Sequence, residues 1–261
     1  MRGERLMSAL REGRPAFGTA LHSADPAILE IAALVGYDWV SIILEHCALD
    51  LTEVATLQRA ADSRGITTLI HVANAHDTRI LPLLNEGVGG IVAPQVSDPA
   101  DVAALVDEVR FPPLGQRGAA SAVRSADYGL QPYTEYAQAA NHSVAVGAIV
   151  ESLAGVQAAE EIFAVPGLTF AYIGLMDLTQ ALGCPGEFRH PDVRATIERV
   201  IAAAQRHGIA IGLSEYGYSA AELLELGARM IITPSSEYAV LREGLRERLA
   251  QARDAAGLPP L

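Results

Sequence analysis

The sequence predicts a single-domain (β/α)8 barrel, the TIM-barrel form of the α/β class, and three observations lead there. Short apolar runs alternate with longer amphipathic stretches, the pattern of parallel strands joined by crossover helices. Eight such units can be counted along the chain. The length, 261 residues, is the usual size of one such barrel and is long enough to bury a large core.

Taken in order, residues 16–21 read as the first strand and 25–35 as its helix, opened by the Asp25-Pro26 pair that suits a helix start. Residues 39–44 form the second strand, followed by a helix over 51–63 that Gly65 ends. The third strand is 67–72, with a helix at 78–85 closed by Gly87. The fourth is 90–94, and its helix, 98–109, again starts at an Asp-Pro pair. Residues 111–132 break the rhythm: they carry three prolines and no clean period, and a loop of this length inside a domain is usually functional.

The alternation resumes with a short helix at 133–140, a fifth strand at 144–150 and a helix at 153–163. The sixth strand is 168–173, followed by a short helix at 177–182 and a main one at 191–207. Residues 209–213 and 230–233 complete the strands, with a helix at 220–226 between them. An Arg- and Glu-rich helix over 237–255 comes last. Residues 1–261 thus read as one domain with no linker. An open doubly wound sheet is the competing architecture. Eight units in this length favour closure, and the first strand and turn lack a G-x-G-x-x-G fingerprint.

Bulk chemistry narrows the function. A net charge of −12 offers no basic footprint for nucleic acid or an anionic membrane. No apolar run is long enough to span a bilayer, and residues 1–13 carry charge without the apolar core of a secretory signal. Two cysteines, Cys47 and Cys184, make neither a disulfide framework nor a zinc knuckle, so a reducing, cytoplasmic setting is expected. All 19 basic residues are arginines, and the chain contains no lysine. A Schiff-base mechanism on a lysine is therefore excluded.

In such a barrel, chemistry sits at the C-terminal ends of the strands. The second strand ends in Glu45-His46, the third in His71 with Asn74 and His76 beyond, and the fifth in Glu151. The sixth ends in Gly174, Leu175, Met176 and Asp177, and the seventh in Ser214, Glu215 and Tyr216. The long stretch 111–132 is expected to add Gln116, Arg117 and Arg124 to the same rim.

Glu151 and Asp177 terminate neighbouring strands, about 4.8 Å apart, so the two carboxylates can share one cation. With water and substrate completing its shell, that pattern suits Mg²⁺ or Mn²⁺. The same spacing also serves a Glu151 that caps the next helix and an Asp177 that starts the short one. His46 beside Glu45 is a candidate general base or a backbone-bonded loop residue. His71, closing an apolar run, is a candidate catalytic residue or a satisfied core histidine. Cys47 next to His46 suggests a thiolate pair, yet no third orienting group is visible. Arg117 either holds an anion or ties down its loop. His22, His142, His190 and His207 belong to no constellation and read as structural or surface residues.

The segments YDWVSIILEH, PPLGQRG, and AIVES followed by AYIGLMDLTQALG resemble the HpcH/HpaI aldolase and citrate lyase β-subunit family, the metal-dependent class II pyruvate aldolases. The resemblance runs over nearly the whole chain in the same order. It implies that Glu151 and Asp177 bind a divalent ion that chelates the carboxylate and keto oxygens of a 2-oxo acid. It implies that His46 transfers protons during aldol cleavage, and that Glu45, Gly174, Leu175, Met176 and Arg124 lie against the substrate. It also implies a homo-oligomer in which the last helix packs on a neighbouring subunit, a trimer of dimers or smaller.

Four positions depart from that pattern. His71 stands where the family usually has an arginine that contacts the substrate oxygen, and Ile43 where it has the aspartate partner of His46. Ile149 replaces a polar Gln, and Leu175 a Pro. Losing the arginine removes a charge worth several kcal/mol to an enolate in a dry site. A protonated His71 could replace it, although a nearby dication would oppose that protonation. The expectation is a kept metal site, with cleavage of a 4-hydroxy-2-oxo acid as the leading reaction. Decarboxylation of an oxaloacetate-like acid, a biosynthetic C–C bond formation, and a metabolite-binding protein without catalysis are the alternatives. Acyl-CoA substrates are not expected, because little positive charge is available for their phosphates.

Overall fold

Eight parallel strands close on themselves in chain order in the computed structural model, which describes residues 4–259. They are β1 (Ala16–Leu21), β2 (Trp39–Ile43), β3 (Thr67–His71) and β4 (Gly90–Ala93). The second half is β5 (Ala145–Val150), β6 (Phe170–Ile173), β7 (Ala210–Ser214) and β8 (Met230–Ile232). Pairing of Gly18 with both Trp39 and Ile232 closes the barrel. The expected (β/α)8 fold is thus present, with strands within a residue or two of their anticipated limits.

The helices are α1 (Glu4–Arg11), α2 (Pro26–Val35), α3 (Leu51–Arg64), α4 (Ile80–Glu86), α5 (Pro99–Val109) and α6 (Tyr133–Ser143). After them come α7 (Leu153–Gln157), α8 (Ala159–Phe163), α9 (Leu175–Ala181), α10 (Pro191–Arg206), α11 (Ala220–Leu226) and α12 (Glu237–Ala255). Their ends follow local chemistry. Asp25 accepts the Ala27 N–H ahead of Pro26, Asp50 and Glu53 form a reciprocal capping box, and Gly65 ends α3 in a left-handed conformation.

Three features differ from the sequence expectation. The helix α1 was not anticipated; its Leu6 and Ala9 are fully buried against the rings at the N-terminal end of the barrel. The helix expected over 153–163 breaks at Ala158 into α7 and α8. Finally, α9 starts at Leu175, so Asp177 lies within its first turn and does not open it.

The barrel interior is filled by large side chains lying over glycines of neighbouring strands. A Cβ at Gly18 would collide with the Trp39 indole, one at Gly147 with Phe170, and one at Gly212 with Tyr172. Trp39 and Phe170 are wholly buried, and truncating such a ring in a packed core costs about 3–5 kcal/mol. The rings plug the barrel from below, and a cavity remains at its C-terminal mouth. Outside, a second core lies between strands and helices.

The last helix is the exception. Only Glu237 of α12 is buried, while Tyr238, Val240, Leu241, Leu245 and Leu249 are exposed. No described helix is long and apolar enough to cross a membrane.

Candidate active site

A cavity of 180 Å³ opens at the C-terminal mouth and gathers Glu45, His46, His71, Glu151 and Asp177 around one space. Gly174, Leu175 and Met176 line it as well, in line with their expected place. So do Ile43 and Ile149, which give it two apolar walls.

Glu151 follows β5 directly and is 8% exposed. Its Oε1 accepts the Gln95 backbone N–H at 2.7 Å. Gln95 holds a left-handed φ of 53°, a conformation a non-glycine residue adopts at a cost and one that recurs at functional sites. Gly174 forms the other side of the cradle, since a Cβ there would run into Glu151 Oε2. Burial pushes the Glu151 carboxyl up to about 7, against the pull of the Gln95 N–H, and the charges of Asp177 and Glu45 add to the rise. Glu45 is raised too, by burial first, with His46 opposing and Asp177 reinforcing. Asp177 accepts the Gln180 side-chain amide at 3.1 Å.

Three carboxylates therefore converge with no arginine among the described residues paired to Glu151 or Asp177. Hard oxygen donors around an uncompensated negative space are the donor set of a divalent cation. Among the described residues no three His, Cys, Asp or Glu side chains are grouped tightly enough to ligate an ion alone. The residues thus fit an ion held by two carboxylates, with other ligands from water and substrate, and not a closed structural site.

The imidazoles differ sharply. His46 is 67% exposed, and its Nε2 lies 3.7 Å from Glu45 Oε2. His71 is buried, with its ring 5.6 Å from Tyr172 and its Nε2 without a partner. Burial pushes its pKa down to about 3, with His22 and His46 adding to the fall. His71 is therefore neutral and does not supply the charge of the arginine it replaces. The buried Ser41 and Tyr172 hydroxyls below it and the Trp39 indole N–H lie close to one another, without a well-formed hydrogen bond between them. The thiolate pair is not supported, because burial and then Glu237 push the Cys47 thiol up.

His22, which sequence reasoning set aside, lines the same cavity from the end of β1. Its Nδ1 is 3.2 Å from Glu237 Oε2 on α12. Those partners are 215 residues apart, so no local pattern announces them.

Arg117 and Arg124 do not reach the site, which corrects both expectations. The stretch that carries them follows α5, not a strand, so it lies at the N-terminal end of the barrel, away from the mouth. Arg117 is 3% exposed, stacks 4.5 Å above Phe111 and donates to the Tyr136 hydroxyl at 2.8 Å. It lines a separate 440 Å³ cavity with Gly87, Gly89 and Val144, residues that precede β4 and β5. Arg124 pairs with Asp62 and donates to the Glu86 carbonyl, at the C-terminal ends of α3 and α4. Both arginines tie down the long connection.

The HpcH/HpaI aldolase/citrate lyase family matches residues 17–233. A hydroxypyruvate/pyruvate aldolase of Pseudomonas aeruginosa is 33% identical over 257 residues, covering 98% of this chain and 95% of that protein. Another, from Paraburkholderia phytofirmans, is 31% identical over 255 residues, with 95% and 97% covered. Among solved structures, an HpcH/HpaI aldolase from Desulfitobacterium hafniense superposes with a TM-score of 0.89 at 28% identity, covering 98% of this chain and 99% of the other.

Proposed function

The chain belongs to the HpcH/HpaI aldolase/citrate lyase family, and from that premise we propose that it is a divalent-metal-dependent aldolase cleaving a small 4-hydroxy-2-oxo acid. The observation that carries this reading is the pair Glu151 and Asp177, two carboxylates at one mouth with no arginine among the described residues paired to either. They would hold Mg²⁺ or Mn²⁺. When bound, the ion supplies a Lewis acid for the negative charge that C–C cleavage leaves on the 2-oxo half.

The protein's own residues do the rest. Gln95 and Gly174 hold Glu151 in one orientation. Ile43, Ile149 and Leu175 keep the inner wall apolar, which strengthens electrostatic contacts by excluding water. Neutral His71 offers a hydrogen bond where a charge is absent, and exposed His46 exchanges protons with solvent at the mouth. The relatives named hydroxypyruvate/pyruvate aldolases support a three-carbon 2-oxo half. Two free thiols, Cys47 and Cys184, fit a cytoplasmic setting.

The test strips the protein of metal, adds pyruvate in D2O and follows the methyl protons by NMR. Exchange is expected only after Mg²⁺ or Mn²⁺ is restored. Exchange at full rate without metal, or none with any divalent ion, would refute the reading.

We also propose a homo-oligomer, a trimer of dimers or smaller, built by packing of α12 on a second copy. Exposed Leu241 and Leu245 on a helix with one buried residue support it. Sedimentation should give a species larger than the 27.6 kDa chain, reduced to the monomer by Leu241→Glu with Leu245→Glu. A monomeric wild type would end this proposal.

A further inference from the structure

The mouth holds one imidazole oriented by a buried carboxylate, and it is not His46. Glu237 Oε1 accepts the backbone N–H groups of His22 at 2.8 Å and Ser23 at 2.9 Å, and Oε2 faces His22 Nδ1 at 3.2 Å. The Ser236 hydroxyl reaches the same Oε2 at 3.3 Å. Burial raises the Glu237 carboxyl, yet the His22 backbone N–H, the His22 ring and the N–H of Glu237 itself outweigh it and hold the group below the usual carboxylate range, so it is ionised. An ionised carboxylate accepts from Nδ1–H, which leaves Nε2 as the nitrogen with the free lone pair. The ring is 24% exposed, lines the cavity and lies 5.9 Å from the Tyr238 ring.

His46, by contrast, is mostly in solvent, and Ile43 stands where the family's aspartate partner is expected. The charged and titratable groups facing His22 are Glu237 and Tyr238 on α12 and His71 at the end of β3; His46 lines the same cavity, and Cys47 lies near Glu237.

We propose that His22, held by Glu237, is the base that takes the C4 hydroxyl proton in aldol cleavage, a role that rests on the aldolase reading above. Nε2 accepts that proton as the C4–O bond becomes a carbonyl and the C3–C4 bond breaks. The bonding pair stays on the 2-oxo half as an enolate. The enolate takes a proton at C3 from solvent-connected His46, and His22 returns its own to solvent. One hydroxy-oxo acid gives one aldehyde and one 2-oxo acid, with no change of oxidation state. Glu237 is a positioning residue: it fixes the tautomer, as a triad aspartate does for its histidine.

The experiment uses the Mn²⁺-loaded protein and 4-hydroxy-2-oxopentanoate, with pyruvate methyl exchange in D2O as a second readout. His22→Gln should lower kcat for cleavage by about 10²- to 10³-fold, with Mn²⁺ affinity and pyruvate exchange unchanged, because exchange involves no C4 hydroxyl. Glu237→Gln should lower kcat in the same way and convert His22 to the Nε2-protonated tautomer, read from its ¹⁵N shifts. Should that variant release α12 and fail to fold, the wild-type tautomer decides: an Nε2-protonated His22 overturns the proposal. Cleavage at the wild-type rate in His22→Gln also overturns it, as does an equal loss of cleavage and exchange, which would mark a structural role. A wild type that neither cleaves nor exchanges refutes the aldolase reading itself, and this proposal with it.

Discussion

On the proposed metal-dependent reading, Glu151→Gln is expected to lower turnover by about 10³-fold or more, because the Lewis acid it would hold would contribute several kcal/mol and each 1.36 kcal/mol is tenfold in rate. The same substitution should stabilise the metal-free protein. Burial raises the Glu151 carboxyl from 4.5 to about 7, so the fold favours its neutral form. A group raised in this way contributes stability that is complete below its unfolded value and is lost as pH rises through the folded one. The window is therefore pH 4.5 to 7. Above it the ionised wild type carries a penalty of roughly 3 kcal/mol that Gln avoids. Thermal unfolding of both metal-free proteins across this window checks the point: wild-type Tm should drop relative to the variant as pH rises, and Mn²⁺ should restore wild type alone. A variant less stable than metal-free wild type at pH 8 would contradict it.

Gly174→Ala should be nearly as damaging, although it adds one methyl group and changes no donor. Gly174 has φ −77° and ψ 89°, so its need for glycine comes from space and not from backbone freedom. Besides meeting Oε2, the new Cβ would lie 2.8 Å from Glu151 Cβ and 3.1 Å from its Cδ. Glu151 sits between that wall and the Gln95 N–H, so it cannot retreat without losing its hydrogen bond. A misplaced catalytic group costs about 10²-fold, and both Mn²⁺ affinity and cleavage should fall on that scale. Calorimetric titration with Mn²⁺ reads the first directly; wild-type affinity in Gly174→Ala would show that the cradle is not needed.

The parts of the fold that were legible in the sequence are those whose information is local. Apolar runs bounded by Asp-Pro starts and Gly stops mark β1 to β5 and the helices between them, because caps and breakers act within a few residues. Glu151 and Asp177 are legible because Glu151 follows a strand end directly and Asp177 lies in the helical turn just past the next one, and both reach the same rim. The helix α1 was hidden because it is short, highly charged and buries little beyond Leu6 and Ala9. The start of α9 was misjudged because Gly174 opens it without a side-chain cap, which made Asp177 look like the first residue. The unusual loop points Arg117 and Arg124 to the mouth in the sequence, whereas a connection from helix to strand lies at the opposite end. His22 and Glu237 needed the closed barrel itself, which brings the end of β1 beside the chain that leaves β8.

The ring-over-glycine packing beneath the site makes its depth a property of residue pairs. Tyr172 reaches across β7 because Gly212 vacates the space, and neither residue has a meaning without the other. A single enlargement at Gly212 would drive the phenol upward into the reaction space, and a single reduction at Tyr172 would open a void no neighbour can fill. Altering substrate size from below thus requires a coordinated exchange on two strands. Single substitutions can more readily remodel the rim above, where Met176 and His46 meet solvent.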